Sequence, residues 1–567
     1  MLALCLPDEL WTQILVLAGA WGLEGGQQTC ASSVSSFWRS LTMAPEALSR
    51  LMVGKLGAEE ALFRAADCRT DQGPHGVDPA ALVKYILQLE QCVAPRADCQ
   101  MGRALCLAAG TGNAVTVRML LQWPKDAPPA DSRSGRALLE AARGGHIEVV
   151  RLLLRWPGGH APKADCREGQ ALIEAATSGW AEVMQILLRW PEHAPRADSQ
   201  GGRALVEAAR AGHEEAVRLL LSWPLNPPAA DCLNSEALIG AAGAGHDAVV
   251  KLLLGHRSSR APRADCRDGQ ALIDAVEGGH AAVVSTLLEW ELHAAQANSR
   301  GGIPLWLASR LGHGAVVEVL LQHGARVDSG DSLALVNAAM GGHVGVIQQL
   351  LRWPPAGGCC ALRADSGDGE ALIAAAGRGQ ADAVRMLLGW PDNAPRADCR
   401  GGGALIAAAR GGHLEVVLLL LTQPAAAPRA NCRRGEALIV AAEEGHEDVV
   451  RLLLGWEVSA PRANSPCGEE ALIRAAAEGR EHVVRLLLDR DAEGDAPRAD
   501  CQDSEALIRA VHAGHCGVVS ALLEWRVAAP RADCRGGAAL DLPDMLLAAS
   551  ERHREVLRLL QDALQRH

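Results

Sequence analysis

One marker recurs through most of this chain at a nearly fixed interval, and that periodicity constrains the fold more than any other feature. An Ala-Asp or Ala-Asn step places its acidic or amide residue at Asp98, Asp131, Asp165, Asp198, Asp231, Asp265, Asn298, Asp365, Asp398, Asn431, Asn464, Asp500 and Asp533. The interval is 33 or 34 residues except around Asp328, which fills the long gap after Asn298, and before Asp500. A Gly-His step keeps pace with it, from Gly145-His146 to Gly514-His515. Such self-similarity overrides domain counting by length and implies a stack of small identical units.

A single unit shows why. From Glu168 the chain reads E-G-Q-A-L-I-E-A-A-T-S-G-W-A-E-V-M-Q-I-L-L-R-W-P. Ala171, Leu172, Ala175 and Ala176 recur at helical spacing and form one apolar stripe. Gly179 suits the left-handed position that ends a helix. Val183, Ile186, Leu187 and Trp190 form a second stripe, and Pro191 bars its continuation. Helices this short cannot bury their stripes alone, so each pair must stack on its neighbours. Composition agrees: apolar residues reach 49% but aromatics only 3%, so the interior is built from small and aliphatic side chains.

These units resemble the ankyrin family. The segment Gly302-Ile-Pro-Leu-Trp-Leu-Ala-Ser-Arg-Leu-Gly-His-Gly-Ala-Val-Val-Glu-Val-Leu-Leu-Gln-His-Gly-Ala325 follows that family's G-x-T-P-L-H-x-A-A-x-x-G-H-x-x-V-V-x-x-L-L-x-x-G-A pattern. Elsewhere T-P-L-H is replaced by x-A-L-I, and the loop after the second helix is lengthened to W-P-x-x-A-P-R-A-D, which puts regular β-hairpin fingers in question. The expected fold is all-α: about 14 stacked helix-turn-helix repeats over residues 97–567, the last a C-terminal cap, with 54–96 a linker and degenerate capping repeat. Within it, Asp67 to Pro79 reads as the linker. The charged amphipathic segment Arg554–His567 suits the distal cap.

Residues 4–53 lack the markers. Leu6, Leu10, Ile14 and Leu17 fall on one helical face, with Pro7 where a first-turn proline is tolerated. Further on stands Val34-Ser-Ser-Phe-Trp-Arg39. This stretch resembles the F-box, which opens L-P-x-E-L-x-x-x-I-L and carries a V-x-x-x-W-R element. The resemblance implies a three-helix module docking on a Skp-type adaptor and, through it, a cullin ubiquitin ligase core. Leu6, Pro7, Leu10, Ile14, Leu15, Val34 and Trp38 would then carry core and docking contacts. The competing reading is a helical cap on the solenoid.

The recurring polar residues invite chemistry that their spacing argues against. Of 17 cysteines, eight follow the marker, including Cys166, Cys232 and Cys432. Stacked repeats sit roughly 8–10 Å apart, whereas a disulfide needs Cα atoms within about 7 Å. Free thiols are expected. One histidine per repeat cannot converge on a zinc ion, so neither metal nor cofactor is expected. Nine tryptophans that end second helices, such as Trp190, read as packing between repeats. Arginine outnumbers lysine 50 to 5. Arg96, Lys163, Arg196, Arg263 and Arg396 stand two residues before the marker, either as local Arg–Asp pairs or as a row able to grip an acidic partner.

No P-loop, His-Glu-x-x-His, Gly-x-Ser-x-Gly or dinucleotide fingerprint occurs, and Glu140, Glu174 and Glu207 form a once-per-repeat row, not a converging acid–base pair. The chain is thus read as a non-enzyme. A net charge of −12 disfavours nucleic acid as a partner. No apolar run reaches the roughly 18–20 residues of a membrane helix, and free cysteines point to cytoplasm or nucleus. The expected function is a substrate receptor, with an ankyrin scaffold lacking any ubiquitin link as the alternative. Candidate groove residues, chosen by position on first helices, are Arg143, Arg210, Trp306, Arg310, Met340, Arg378, Arg410 and Glu444.

Overall fold

A computed structural model describes Val53, Leu56 and residues 58–67, 78–88, 96–157, 160–256, 261–327, 332–353, 362–424, 427–457, 459–489, 499–525, 530 and 551–566. The seven F-box-like residues, Leu6 to Trp38, lie outside the described residues. The described elements are all helices, with no strand among them. They fall into two units, residues 1–196 and 197–567.

The first unit stacks four helix pairs: Ala58–Ala66 with Pro79–Leu87, Cys99–Gly110 with Ala114–Leu121, Ser132–Gly144 with Ile147–Leu154, and Cys166–Thr177 with Ala181–Leu188. First helices pack on first helices and second on second. The pair at the head has no marker of its own, yet Ala58–Ala66 packs on Pro79–Leu87 and on Cys99–Gly110. Asp67–Pro79 therefore connects two helices that pack together, not two separate modules. Asp78 caps the second of them by accepting the Ala80 amide at 3.0 Å.

The second unit repeats the arrangement from Ser199–Arg210 with Glu214–Leu221 through Cys501–Ala513 with Cys516–Leu523. The helix Glu551–Arg566 then packs on that last pair, burying Val556, Leu560 and His553.

The core follows the first-helix stripe as read, with Ala171, Leu172, Ala175 and Ala176 all fully buried. In the second helix the stripe differs. Val183, Met184, Leu187 and Leu188 are buried, while Ile186 and Trp190 are only half-buried. A doublet four residues after another doublet faces inward because second helices are covered on two sides, by their own partner and by neighbouring second helices.

The marker starts an unusual turn in place of a β-hairpin finger. After Asp131 the chain passes through Arg133, Ser134 and Gly135 at φ 53°, 57° and 76° before right-handed helix begins. The same three-residue left-handed turn follows Asp98, Asp165, Asp198, Asp231, Asp265, Asn298, Asp365, Asp398, Asn431 and Asp500. It breaks in one repeat, Asn464-Ser-Pro-Cys-Gly468, because Pro466 cannot take positive φ; its helix begins at the proline. Pro304 is accommodated because the right-handed turn starts just before it.

Leu187 sits fully buried between helices, so Leu187→Ala should cost about 2–5 kcal/mol. Damage in a stacked array stays near the affected repeat. Hydrogen exchange should show protection lost first within 166–188; uniform loss along the chain would contradict this.

Candidate functional site

The polar rows of the sequence turn out to be junctions between repeats. At most described junctions within a unit, the second helix is preceded by a residue whose side-chain N–H reaches back to the end of the previous first helix; Asn113 instead caps its own helix, accepting the Thr116 amide at 3.0 Å. His146 Nε2 meets the Gly110 carbonyl at 2.9 Å, His413 that of Gly377 at 3.2 Å, and His446 that of Arg410 at 2.9 Å. At two junctions without histidine, another donor stands in. Trp180 Nε1 donates to the Arg143 carbonyl at 2.8 Å, and Arg480 Nε to that of Glu443 at 2.9 Å. Indole and guanidinium can only donate, so the histidines must present Nε2–H to the same acceptor. These carbonyls lie in the last turn of a helix, where no intrahelical partner exists.

The glycine that ends a first helix serves the following repeat. A Cβ on Gly112 would lie 2.4 Å from His146 Nδ1, and one on Gly379 would lie 2.5 Å from His413 Nδ1. Both glycines are also left-handed, at φ 79° and 73°. The glycine is therefore a shelf for the next repeat's ring as well as a helix terminator. At the far end His553 closes the row, with Nε2 at 3.0 Å from the His512 carbonyl.

A second junction lies at the left-handed turn. Arg133 donates to the Gln100 carbonyl at 2.7 Å, Arg167 to that of Arg133 at 2.6 Å, and Arg300 to that of Arg267 at 2.7 Å. Sequence reasoning missed this ladder, though arginine two residues after the marker signalled it. Beneath it, the thiol or hydroxyl after a marker packs on the preceding repeat's turn at several junctions. A Cβ on Gly135 would lie 2.9 Å from Cys166 Sγ, and one on Gly402 would lie 2.5 Å from Cys432 Sγ. Burial pushes the thiols of Cys99, Cys166, Cys232, Cys399 and Cys432 up to about 11.

The arginine before the marker is engaged inside its own loop. Arg263, Arg363 and Arg396 each hold both oxygens of Asp265, Asp365 and Asp398 at 2.8–2.9 Å. These hydrogen bonds keep the three carboxyls below the usual range. This is the local pairing weighed at the outset, and it leaves those guanidinium groups committed. The tryptophans ending second helices are half-buried against the preceding repeat: Arg155 lies over Trp190 at 6.0 Å and Arg352 over Trp390 at 5.9 Å.

The groove candidates do not form one row. Arg143, Arg210, Arg310, Met340 and Arg410 share a register position near the end of first helices, but Arg378 and Glu444 stand one residue later and Trp306 four earlier. Arg143, in the first unit, pairs with Glu174 of the next repeat at 2.9 Å and with Glu140 at 3.5 Å. Burial raises the Glu174 carboxyl, but hydrogen bonds from Arg143 and Gln170 outweigh it and leave it below normal. In the second unit Arg210 pairs with Glu207 and Glu236, and Arg310 lies 5.5 Å from the half-buried Trp306 ring. Arg378, Arg410 and Glu444 are exposed and Met340 half-buried. Together these residues give the first-helix face a charged, repeat-specific surface; among the described residues no three His, Cys, Asp or Glu side chains converge as metal ligands.

The family model for ankyrin repeats in three copies matches residues 138–232, 238–331, 372–462 and 438–533, more than half of the chain. The chain belongs to the ankyrin repeat family, and its repeats form a protein–protein interaction module. No curated protein matches closely enough to count as a relative. Among the described residues no helix is long and apolar enough to cross a membrane.

Two measurements probe the junctions. Gly379→Ala forces a left-handed alanine against His413 and should cost about 1–3 kcal/mol; His413→Ala should cost about 1–3 kcal/mol by orphaning a helix-end carbonyl. His413→Arg should recover much of that loss, since Arg480 already does this work. Urea unfolding with hydrogen exchange over 366–421 reads all three. Thiols near 11 should alkylate about a hundredfold more slowly at pH 8 than free thiols, so mass spectrometry of iodoacetamide-treated native protein should find Cys166, Cys232, Cys399 and Cys432 largely unlabelled until the chain is denatured.

Proposed function

We propose that the chain is the substrate receptor of a cullin-type ubiquitin ligase, with an F-box-like segment at residues 4–53 recruiting a Skp-type adaptor and the first-helix face of the repeats holding the target. The motif Leu6-Pro-Asp-Glu-Leu10 with Val34-Ser-Ser-Phe-Trp-Arg39 carries this reading. One structural observation supports it. The pair Ala58–Ala66 and Pro79–Leu87 packs on the first marked repeat, so that repeat has a cap that does not draw on residues 4–53. Leu6, Pro7, Leu10, Ile14, Leu15, Val34 and Trp38 would supply the apolar docking face. The groove residues Arg143, Arg210, Trp306, Arg310, Met340, Arg378, Arg410 and Glu444 are proposed as target contacts, each on the face of its own unit. Transfer chemistry would belong to other subunits.

Replacing Leu10 and Ile14 together by Asp puts two charges on that apolar face. Adaptor binding in a pull-down should fall by about two decades, because burying unpaired charge costs several kcal/mol. The thermal melt of the array should not move. An unaltered chain that binds no Skp-type adaptor, paired with a double variant that melts early, would sink the ligase reading and leave a repeat scaffold whose N-terminal segment is a cap.

A further inference from the structure

At one junction on the first-helix face of the second unit a carboxylate stands opposite a glycine. Arg143 reaches the Glu174 carboxylate of the next repeat at 2.9 Å. At Glu443 and Arg474 the same two positions hold the reversed pair, at 3.5 Å. At Gly243 and Asp274 the carboxylate remains but the arginine is replaced by hydrogen. A Cβ on Gly243 would lie 3.2 Å from Asp274 Cβ, so Asp274 leans over the place where the missing side chain would start. Gly240, one turn earlier, removes a second side chain, at the position held elsewhere by Glu140, Glu174 and Glu207.

The two glycines leave a cavity of about 540 Å³ lined by Arg210, Glu236, Ile239, Gly240, Arg267 and Asp274. Its own arginines do not serve Asp274. Arg210 is held by Glu207 at 3.5 Å and Glu236 at 3.1 Å, and Arg267 donates to the Leu233 carbonyl at 3.4 Å. Asp274 accepts one hydrogen bond, from Gln270 Nε2 at 2.6 Å, and makes no ion pair among the described residues. Glu140, Glu174 and Glu207 each have an arginine. Burial raises the Asp274 carboxyl, and neither the Gln270 hydrogen bond nor the more distant charge of Arg300 offsets it. Exposed Glu277 adds a second negative charge one turn on.

We propose that this notch is a socket for an arginine side chain of the bound protein partner, whose guanidinium takes the place beside Asp274 that Arg143 takes beside Glu174. A planar fork matches a carboxylate in a way an ammonium does not. Ile239, almost wholly buried in the wall, provides an apolar surface for the arginine stem. The proposal rests on reading the first-helix face as the partner-bearing face.

The test needs no knowledge of the partner. The full chain, labelled at isoleucine δ1-methyls, is titrated with Nα-acetyl-arginine amide and, separately, with the neutral isostere Nα-acetyl-citrulline amide. The Ile239 methyl, assigned with Ile239→Val, should shift and saturate with the arginine probe and stay still with citrulline. Asp274→Asn should weaken the response about tenfold. Gly243→Arg, which fills the socket from within, should abolish it. An equal response to citrulline, or a response unchanged in Asp274→Asn, would overturn the socket. Failure here leaves the partner-bearing face standing, because that reading is tested separately, by proximity labelling in cells with the intact face and with Arg310 and Arg410 replaced.

Discussion

Everything in the stack depends on a hydrogen bond that no single repeat can make. The last turn of a first helix exposes carbonyls that need donors, and at most described junctions within a unit the donor comes from the next repeat: His146 on Gly110, Trp180 on Arg143, Arg480 on Glu443. The donor lies flat only because a left-handed glycine beneath it has no Cβ. Burial of the aliphatic stripes supplies most of the driving force, being the non-directional part of the energy. The hydrogen bond supplies direction. It fixes the separation and rotation of successive pairs, and so decides which side chains of neighbouring first helices come within reach of one another.

That spacing turns a list of surface residues into a binding face. Because it is held constant, the position near the end of one first helix always faces the position one turn earlier on the next. Arg143 therefore finds Glu174, Glu443 finds Arg474, and Gly243 leaves Asp274 alone. Exposed ion pairs of this kind contribute little stability. Their value is as a pattern: these three junctions offer a satisfied pair, a reversed pair and a vacancy, so the surface differs from repeat to repeat.

Much of the architecture was legible in the sequence because burial is periodic and glycine and proline punctuate it. Ala171, Leu172, Ala175 and Ala176 could be placed from spacing alone. The second stripe was half legible: Val183 and Leu187 are buried as read, but Met184 and Leu188 take the places given to Ile186 and Trp190, since spacing does not reveal that second helices are covered from two sides and bury doublets. The left-handed turn was not legible at all. Arginine and serine do not favour positive φ, and Arg133 and Ser134 adopt it because the neighbouring repeats hold them there. The roles of His and Gly were half legible: a glycine before a histidine announces a turn, but the glycine's partner is the following repeat's histidine, and no local pattern shows that. The candidate face suffered in the same way. Arg378 and Glu444 were chosen by position on first helices, whereas the structure sets register by the shared carbonyl, one residue earlier, at Gly377 and Glu443.

The split of each junction between two repeats also says what can be exchanged in such a chain. The shelf belongs to one repeat and the ring that rests on it to the next, so the interchangeable part is the seam, not the repeat. Copying a whole repeat copies both halves of the seam, and the duplicate fits wherever it lands. Moving a boundary by a few residues, or splicing in a repeat whose donor and glycine come from differently sized seams, separates the two halves and strands a carbonyl at the cut. Lengthening the array by whole units is therefore cheap, while the spacing between markers departs from 33 or 34 residues before Asp365 and Asp500.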